Sequence, residues 1–177
     1  MVGESDNREG DMRLMVDQYT SDYHILQLII KYTMQQLLQT ENSAIWFLLR
    51  MVAGVIIFPY GMQKLLGWYN GPGIKGTLRQ MKLKNIPLPI AWLIIIGQSF
   101  GSIALIAGFL GRIAAAGNLI IFTGAMITHI PDGWMLNWFN TKKGEGIEYF
   151  VMLLPILLII LIKGSGAWSV DLLLFHR

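Results

Sequence analysis

The sequence predicts an all-α integral membrane protein, a four-helix bundle preceded by an additional amphipathic helix. The first observation is composition: of the 177 residues, 54% are hydrophobic and only 14% are charged, whereas soluble domains carry about 25% charged residues. The second observation is the length of the uncharged stretches, because a helix that crosses a bilayer needs about 20 apolar residues. Four predicted spans of this kind take up almost half of the chain, so no water-facing domain of any size is expected.

The distribution of charge divides the chain into two parts. Residues 1–43 hold seven acidic and three basic side chains, whereas residues 44–177 hold four acidic and eleven basic ones. A basic membrane domain typically faces anionic lipid. Nucleic acid is not an expected partner, since no basic stretch is interleaved with base-stacking aromatic residues. We therefore predict a polar tail with an interfacial helix over 1–43 and a membrane domain over 44–177.

The N-terminal part contains one helical pattern, over residues 13–39. Its apolar side chains recur at helical spacing, at Tyr19, Tyr23, Leu26, Ile30, Met34 and Leu37. The opposite face is polar and comprises Asp17, Asp22, Gln27, Lys31 and Gln35. Such a helix is typical of a segment that lies on a membrane, docks onto a partner or covers its own bundle. The polar residues 1–11 before it are predicted to be disordered.

Four membrane spans are predicted, at about residues 44–66, 89–110, 113–130 and 146–164. Residues 85–111, 113–131 and 149–162 contain no charge. The last of these stretches is short, with roughly 21 Å of helix, so a bilayer core of about 30 Å places Glu148 and Lys163 at the membrane boundaries. A turn-rich loop over 67–73 and a short basic helix over 77–84 connect the first two spans. An apolar interfacial tail over 168–175 follows the last span.

The connectivity predicts which span ends lie together. An up-and-down bundle places the end of span one, the end of span three and the start of span four at the same end. Seven Lys and Arg residues lie near the spans at that end and five at the other, so the positive-inside rule predicts that it faces the cytoplasm. Span two carries Gly97, Gly101, Ala104 and Gly108 at intervals of three or four residues. Small residues at this spacing let helix backbones approach closely in lipid.

Two ionisable residues at the predicted cytoplasmic end are the candidate catalytic residues. His129 lies at the end of span three, and Glu148 lies in the first turn of span four. Ionisable groups in membrane spans are costly and point to function, and a neutral imidazole at a membrane boundary binds a carbonyl or transfers a proton. The structural alternative is that His129 pairs with Glu148 or Asp132 and holds the following loop in place.

The other polar residues of the spans are candidate binding residues, each with a structural alternative. Arg50 either extends its guanidinium to the surface or makes a buried ion pair or an anion contact. Lys64, with Trp68 and Tyr69, is either an interfacial anchor or part of a site for a quinone head group or an anion. It lies about 21 Å along the helix from Arg50, so these two cations cannot share a small ligand. Gln98, in the middle of span two, is expected to make an interhelical hydrogen bond.

Several chemistries are not expected from this chain. The sequence has no cysteine, so it supplies no disulfide, thiolate nucleophile or iron–sulfur ligand. No two histidines lie at matching depth in two spans, so haem ligation is not expected. His24 and His176 lie at the predicted end opposite His129, so no set of metal ligands is expected either. A redox role therefore requires a bound carrier or a partner chain.

A series of short motifs resembles the DoxX/DoxD family of small four-helix membrane proteins. In order, the motifs are Leu49-Arg50, Tyr60-Gly-Met-Gln-Lys64-Leu-Leu-Gly67, Ile86-Pro87, Gly108-Phe-Leu-Gly-Arg112, His129, Glu148-Tyr149 and Gly166-Ala-Trp-Ser-Val-Asp171. The resemblance covers residues 44–174. The chain departs from the family pattern at Gln98, where the family commonly has Glu, and at Tyr60, where it commonly has His.

The resemblance implies a quinone-interacting subunit of an oxidoreductase, similar to the small subunit of thiosulfate:quinone oxidoreductase. Such a subunit works with at least one other protein chain in a membrane, and a prokaryotic cell membrane is expected. In this hypothesis His129 and Glu148 bind or protonate the quinone, and the binding residues are Lys64, Arg50, Gln98, Trp68, Tyr69 and Asp132. The alternative is a non-catalytic accessory or assembly subunit of a larger complex, which the absent cysteines and the additional N-terminal helix favour. A solute carrier is disfavoured, because the spans hold too few polar groups to line a path.

Overall fold

The computed structural model describes residues 18–33, 40–137 and 146–175. All the regular secondary structure in these ranges is helical. Residues 18–33 form α1. The following helices are α2 (Ala44–Leu65), α3 (Gly73–Leu83), α4 (Leu88–Ala107), α5 (Gly111–His129), a short 3-10 turn (Ile130–Asp132), α6 (Glu148–Lys163) and α7 (Val170–Phe175). The all-α prediction is confirmed. Outside the described residues lie the predicted disordered segment 1–11 and, from the amphipathic pattern, Asp17, Met34, Gln35 and Leu37.

The chain divides into two compact units, residues 1–37 and residues 38–177. In the first unit, α1 is exposed at every residue from 18 to 33. The described apolar side chains of its predicted stripe, Tyr19, Tyr23, Leu26 and Ile30, are exposed. Over residues 18–33, α1 therefore exposes its apolar face.

Three helices of the second unit are long and apolar enough to cross a membrane. They are Ala44–Leu65, Leu88–Ala107 and the stretch Gly111–Asp132, which joins α5 to its 3-10 turn. They coincide with the first three predicted spans. The fourth predicted span corresponds to α6, whose 16 residues extend about 24 Å. With these helices the chain is an integral membrane protein.

The connection between α4 and α5 lies earlier in the chain than the predicted link at residues 111–112. The prediction placed the end of span two at about residue 110, whereas α4 ends at Ala107. Gly108 adopts a left-handed conformation with φ of 69°, which glycine tolerates without a Cβ penalty and which terminates a helix. Leu110 is also left-handed, with φ of 50°. The chain thus reverses within three residues, and α5 begins at Gly111.

Four helices pack in a closed ring, in which α2 contacts α4 and α6, and α5 contacts the same two helices. The apolar core between them includes Ala53 and Ile57 of α2, Leu105 of α4, Phe122 of α5 and Leu157 of α6. The second unit is thus the four-helix bundle that the uncharged stretches predict. Its ring geometry fixes which helix ends lie together.

Glycines set the closest contacts between helices. A Cβ atom on Gly61 of α2 would lie 2.7 Å from the backbone oxygen of Gln98 in α4, and the Ser99 hydroxyl donates a hydrogen bond to the Gly61 carbonyl at 3.0 Å. On the other side of α4, a Cβ on Gly101 would lie 2.6 Å from Asn118 Nδ2 of α5. The small-residue pattern of span two therefore serves helix packing, and Gly108 at its end serves the turn.

Candidate functional site

An aromatic cluster lies where α2 and α5 end and α6 begins. It consists of Tyr60 from α2, Phe122 from α5, and Tyr149 and Phe150 from α6. The ring of Tyr149 lies 5.5 Å from that of Tyr60, 6.1 Å from Phe122 and 5.3 Å from Phe150, measured between centroids. These separations are typical of favourable aromatic pairs. Three helices therefore contribute rings to one apolar cluster at the end of the bundle.

His129 borders this cluster and is held by two contacts. Its imidazole stacks on Phe150 with 5.6 Å between centroids and 24° between planes. Its Nδ1 atom lies 2.9 Å from Asp132 Oδ2, one turn further along the chain, and both side chains are about one-third exposed. A carboxylate bonded to one ring nitrogen fixes the orientation of the imidazole. Of the two pairings considered for His129, the structure contains the one with Asp132.

Glu148 lies at the same end of the bundle but has a different partner. Its Oε2 atom accepts a hydrogen bond from the backbone N–H of Leu136 at 3.3 Å. The backbone N–H of Glu148 also donates to the carbonyl of Trp134 at 3.0 Å. The loop after α5 is therefore anchored to the first turn of α6 through Glu148, which gives this residue a structural role beside any catalytic one.

Lys64 reaches the cluster through Tyr60. Its ammonium lies 5.9 Å from the centre of the Tyr60 ring and 3.4 Å from the Tyr60 carbonyl, so the cation contacts the aromatic ring one turn earlier in α2. Trp68 and Tyr69 lie beyond the end of α2 and are exposed. Trp68 makes edge contacts with Phe58 and Tyr69, an arrangement that suits an interfacial anchor.

Buried polar atoms of the bundle without a hydrogen-bond partner among the described residues include the hydroxyl oxygen of Tyr149, Gln98 Oε1 and Asn118 Oδ1. The interhelical hydrogen bond expected of Gln98 is therefore not made by its amide oxygen. By contrast, Asn118 Nδ2 donates to the Gly97 carbonyl at 3.2 Å and joins α5 to α4. Buried groups without partners are costly, and the Tyr149 hydroxyl is the one of the three that lies in the aromatic cluster.

Arg50 lies at the opposite end of the bundle and is fully buried. Its guanidinium donates to the carbonyls of Leu105 and Ile106, each at 2.6 Å, and of Ser165 at 2.8 Å. Leu105 and Ile106 belong to the last turn of α4, whose carbonyls have no partner within the helix. Its second terminal nitrogen donates to the Trp168 carbonyl at 3.4 Å. Of the two alternatives for Arg50, extension to the surface is therefore wrong, because all four hydrogen bonds of the guanidinium are made inside the protein.

Asp171 is the second buried charge at that end. Its carboxylate accepts hydrogen bonds from the N–H groups of Leu110 at 2.7 Å and Gly111 at 2.9 Å, and from the Ser165 hydroxyl at 2.5 Å. It thereby caps the start of α5, where a negative charge is favourable. Arg50 and Asp171 together connect α2, α4, α5 and the segment after α6, and we call this group the buried polar cluster.

The structure separates the predicted site residues into two groups. His129, Asp132, Glu148 and Lys64 lie at the end with the aromatic cluster, whereas Arg50 lies in the buried polar cluster. The length of α5, from Gly111 to His129, separates these ends by about 27 Å. Arg50 is therefore not part of a common site with His129. Among the described residues, no group of three or more histidine or acidic side chains is placed to hold a metal ion.

Residues 45–130 of the chain match the family model DoxX. Over this segment, which is just under half of the chain, the protein is similar to the DoxX family. The DoxX segment runs from the start of α2 to the residue after α5, and it contains Arg50, Tyr60, Lys64, Gln98 and His129. No curated protein and no solved structure matches the chain significantly.

Sequence reasoning missed most of the aromatic cluster and the role of Asp171. Tyr60 and Phe122 lie inside the DoxX segment, whereas Tyr149, Phe150 and Asp171 lie beyond it. Tyr60 stands four residues before Lys64 on the same helical face, which was one available signal. Asp171 in an otherwise apolar tail was another, since a carboxylate near a membrane needs a partner.

Proposed function

We propose that this protein is a multi-pass, quinone-interacting subunit of a membrane oxidoreductase complex. The observation that carries the proposal is the buried Tyr149 hydroxyl, which has no partner among the described residues and lies in the aromatic cluster beside the His129–Asp132 pair. The proposal includes passage of α2, α4, α5 and α6 through a prokaryotic cell membrane. It also includes similarity of role to the small subunit of thiosulfate:quinone oxidoreductase.

The chemistry of the aromatic cluster suits a quinone as redox substrate. A quinone head group is a flat ring with carbonyl acceptors, so it stacks on aromatic side chains and accepts a hydrogen bond from a hydroxyl donor. Tyr149 offers such a donor at the boundary of a membrane helix, where an apolar substrate arrives from the lipid. The residues present therefore fit a quinone, with Tyr149 binding a carbonyl and the neighbouring rings holding its plane.

His129 is suited to the proton transfer that accompanies quinone reduction. With a proton on Nδ1, the imidazole donates to Asp132, and its Nε2 atom is left to accept or deliver a proton. Asp132 thus orients the ring. Electrons come from a partner chain or a bound carrier, because this sequence contains no cysteine with which to hold an iron–sulfur cluster.

A photoreactive quinone tests this binding site. The full chain in lipid nanodiscs is labelled with an azidoquinone, and the labelled peptides are mapped by mass spectrometry. We expect labelling of the segments that contain Tyr60 and Tyr149, with at least a fivefold loss of labelling in Tyr149→Phe, since one hydrogen bond is worth about 1 kcal/mol. Tyr19→Phe, at an exposed tyrosine of α1, is the matched control. Equal labelling in the two variants would contradict the proposal.

A non-catalytic accessory role is the second candidate, and α1 favours it. This helix presents exposed apolar side chains along its length, including Tyr19, Leu28 and Tyr32, which are 65–74% exposed. Apolar exposure of this extent is typical of a surface that contacts a partner or a membrane. Two results together would favour the accessory role. Removal of residues 1–37 would abolish co-purification of a partner, and the wild type would show no quinone labelling.

A further inference from the structure

A cleft between α3 and the start of α4 is separate from the aromatic cluster and from the buried polar cluster. Its volume is about 570 Å³, within the range of pockets that hold small molecules, about 300–1,000 Å³, and its walls are formed by Leu78, Arg79, Lys82, Ile86, Leu88 and Ala91. Two cationic side chains therefore stand over an otherwise apolar lining. This combination matches a ligand with an anionic head and an apolar body.

The two cations of the cleft have no carboxylate in the surrounding sequence. Between Glu41 and Asp132 the chain contains no acidic residue, and α3 carries Lys75, Arg79 and Lys82 on successive turns. Arg79 and Lys82 are exposed. A pair of cations without a neighbouring carboxylate in the sequence attracts anions. The electrostatic attraction is strongest where apolar surface partly excludes water.

The basic helix is held firmly against the bundle, so the cleft is a fixed feature of the fold. The buried Thr77 hydroxyl faces the carbonyl of Lys64 at 3.5 Å, and α3 contacts both α2 and α4. Gly71, in the loop before α3, packs so closely on α2 that a Cβ there would lie 2.6 Å from the Cα of Gln63. The inner face of α3 is thereby fixed, and its basic face remains outward.

The position of the cleft in the fold indicates that its ligand comes from the membrane and not from the aqueous phase. α3 connects the end of α2 to the start of α4, two helices apolar enough to span a bilayer, so it lies at the level of the lipid head groups. Leu83 and Leu88 are 78% and 60% exposed on either side of the connection. Apolar side chains exposed at this level face acyl chains rather than water.

We propose that this cleft binds one anionic phospholipid. Arg79 and Lys82 contact the phosphate, and the apolar residues Ile86, Leu88 and Ala91 contact the first part of an acyl chain. Basic pockets between membrane helices on the cytoplasmic side recognise anionic head groups in this way. The assignment agrees with the excess of Lys and Arg predicted for this end of the bundle, and it is independent of quinone binding at Tyr149.

Native mass spectrometry of the purified full chain, titrated with phosphatidylglycerol or phosphatidylcholine, tests the proposal. We expect one tightly retained phosphatidylglycerol per chain and preference over phosphatidylcholine. Arg79→Gln with Lys82→Gln is expected to weaken retention about 30-fold, because each cation near an anionic lipid contributes about fivefold. The control pair Lys75→Gln with Lys84→Gln removes the same charge from exposed positions that do not line the cleft, and its retention is expected to change by less than about threefold.

Three results would overturn the proposal. Equal weakening by the two double variants would mean that only the overall charge of α3 matters. Equal retention of the two lipids would exclude recognition of the anionic head group. Displacement of the lipid by glycerol phosphate would show that the acyl chain is not recognised. Should the Arg79 and Lys82 variant fold poorly, a phosphatidylglycerol with a diazirine in its acyl chain tests the wild type: labelling near Ile86 and Leu88 supports the site, and labelling confined to other helices overturns it.

Discussion

At the scale of single residues, the bundle uses its buried charges to satisfy backbone groups rather than each other. Arg50 is bonded to carbonyls of α4 and of Ser165, and Asp171 accepts from backbone N–H groups at the start of α5. The turn between α4 and α5 needs both, since tight reversals leave helix-terminal groups without partners. These motifs of the DoxX-like sequence therefore have a structural explanation.

Substitution of Arg50 is expected to destabilise the protein strongly. Arg50→Met leaves the carbonyls of Ile106 and Ser165 without their donor, whereas that of Leu105 keeps the N–H of Gly108. Each unsatisfied group costs about 1–3 kcal/mol, so the free energy of unfolding should fall by about 2 kcal/mol or more. Arg50→Lys should fall between Met and wild type, because an ammonium cannot reproduce the planar set of donors. Unfolding in mixed detergent micelles measures the difference. Lys84→Met, at an exposed cation, is the control, and an equal effect in both positions would refute this role of Arg50.

At the scale of helices, the close approach of α2 to α4 depends on Gly61. The position of a Cβ there, 2.7 Å from backbone atoms of α4, cannot be relieved by moving a flexible side chain. Gly117 in α5 offers the opposite case, because a Cβ there meets nothing within 4 Å. Comparison of the two glycines thus distinguishes the effect of close helix packing on stability from the intrinsic cost of glycine in a helix.

Alanine at these two glycines is expected to act in opposite directions. Gly61→Ala should lower the free energy of unfolding by about 1–3 kcal/mol through overpacking. Gly117→Ala should raise it by about 0.5–1 kcal/mol, because alanine loses less backbone entropy on folding. Unfolding in detergent measures the free energy of unfolding of both variants. An equal change at the two positions would contradict the role of Gly61 in the close packing of α2 on α4.

The segment before α2 is joined to the end of α6 by an ion pair whose effect depends on pH. Glu41 lies 2.7 Å from Lys163 and accepts from Trp46 Nε1 at 2.9 Å. The hydrogen bond from Lys163, followed by that from Trp46, lowers the pKa of Glu41 from its ordinary value of 4.5. A lowered pKa in the folded state adds stability above about pH 4.5, and this stability is lost as the pH falls through the folded value.

Removal of this carboxylate should therefore flatten the acid side of the stability profile. The melting temperature of wild type is expected to fall more steeply than that of Glu41→Gln between about pH 5 and about pH 3. Lys163→Gln should flatten the profile in the same way, since it removes the largest cause of the shift. Parallel profiles for wild type and both variants would mean that the ion pair contributes nothing in the membrane-bound protein.

At the scale of the whole molecule, the absence of cysteine makes the topology directly measurable. We predict that Asn70→Cys and Trp134→Cys react with a membrane-impermeant maleimide from the cytoplasmic side only. Phe109→Cys and Leu173→Cys should react from the opposite side only. Trp134 and Leu173 flank α6, so labelling of both from one side would show that this 16-residue helix does not cross the bilayer. The cysteine-free wild type provides the background.

The helices could be predicted from the sequence because the bilayer imposes a local rule. In lipid every backbone polar group must be satisfied internally, so each long uncharged run becomes a helix, and α2, α4 and α5 follow from composition alone. The sequence predicted two alternative pairings for His129, and the structure contains the one with Asp132. This pair joins residues that are three apart in the chain. Local spacing is sufficient for contacts of this kind.

The remaining contacts depend on the packing of distant segments. Arg50 and Ser165 are 115 residues apart, and nothing in the spacing of either motif specifies their meeting. The same holds for Tyr60 and Tyr149, which belong to α2 and α6 and come together only when the ring of four helices closes. Sequence alone therefore predicted Arg50 as a candidate binding residue, whereas its environment shows a structural role.

The most direct test of the proposed function is the quinone content of the protein purified from its native membrane in mild detergent. Quinone and co-purifying protein chains are measured by mass spectrometry in the same particle, for wild type and for Tyr149→Phe. The account predicts quinone enriched over bulk lipid in wild type, together with a redox partner, and a clear loss of quinone in the variant with the partner retained. A wild-type complex without enriched quinone, or equal quinone in both proteins, would contradict it.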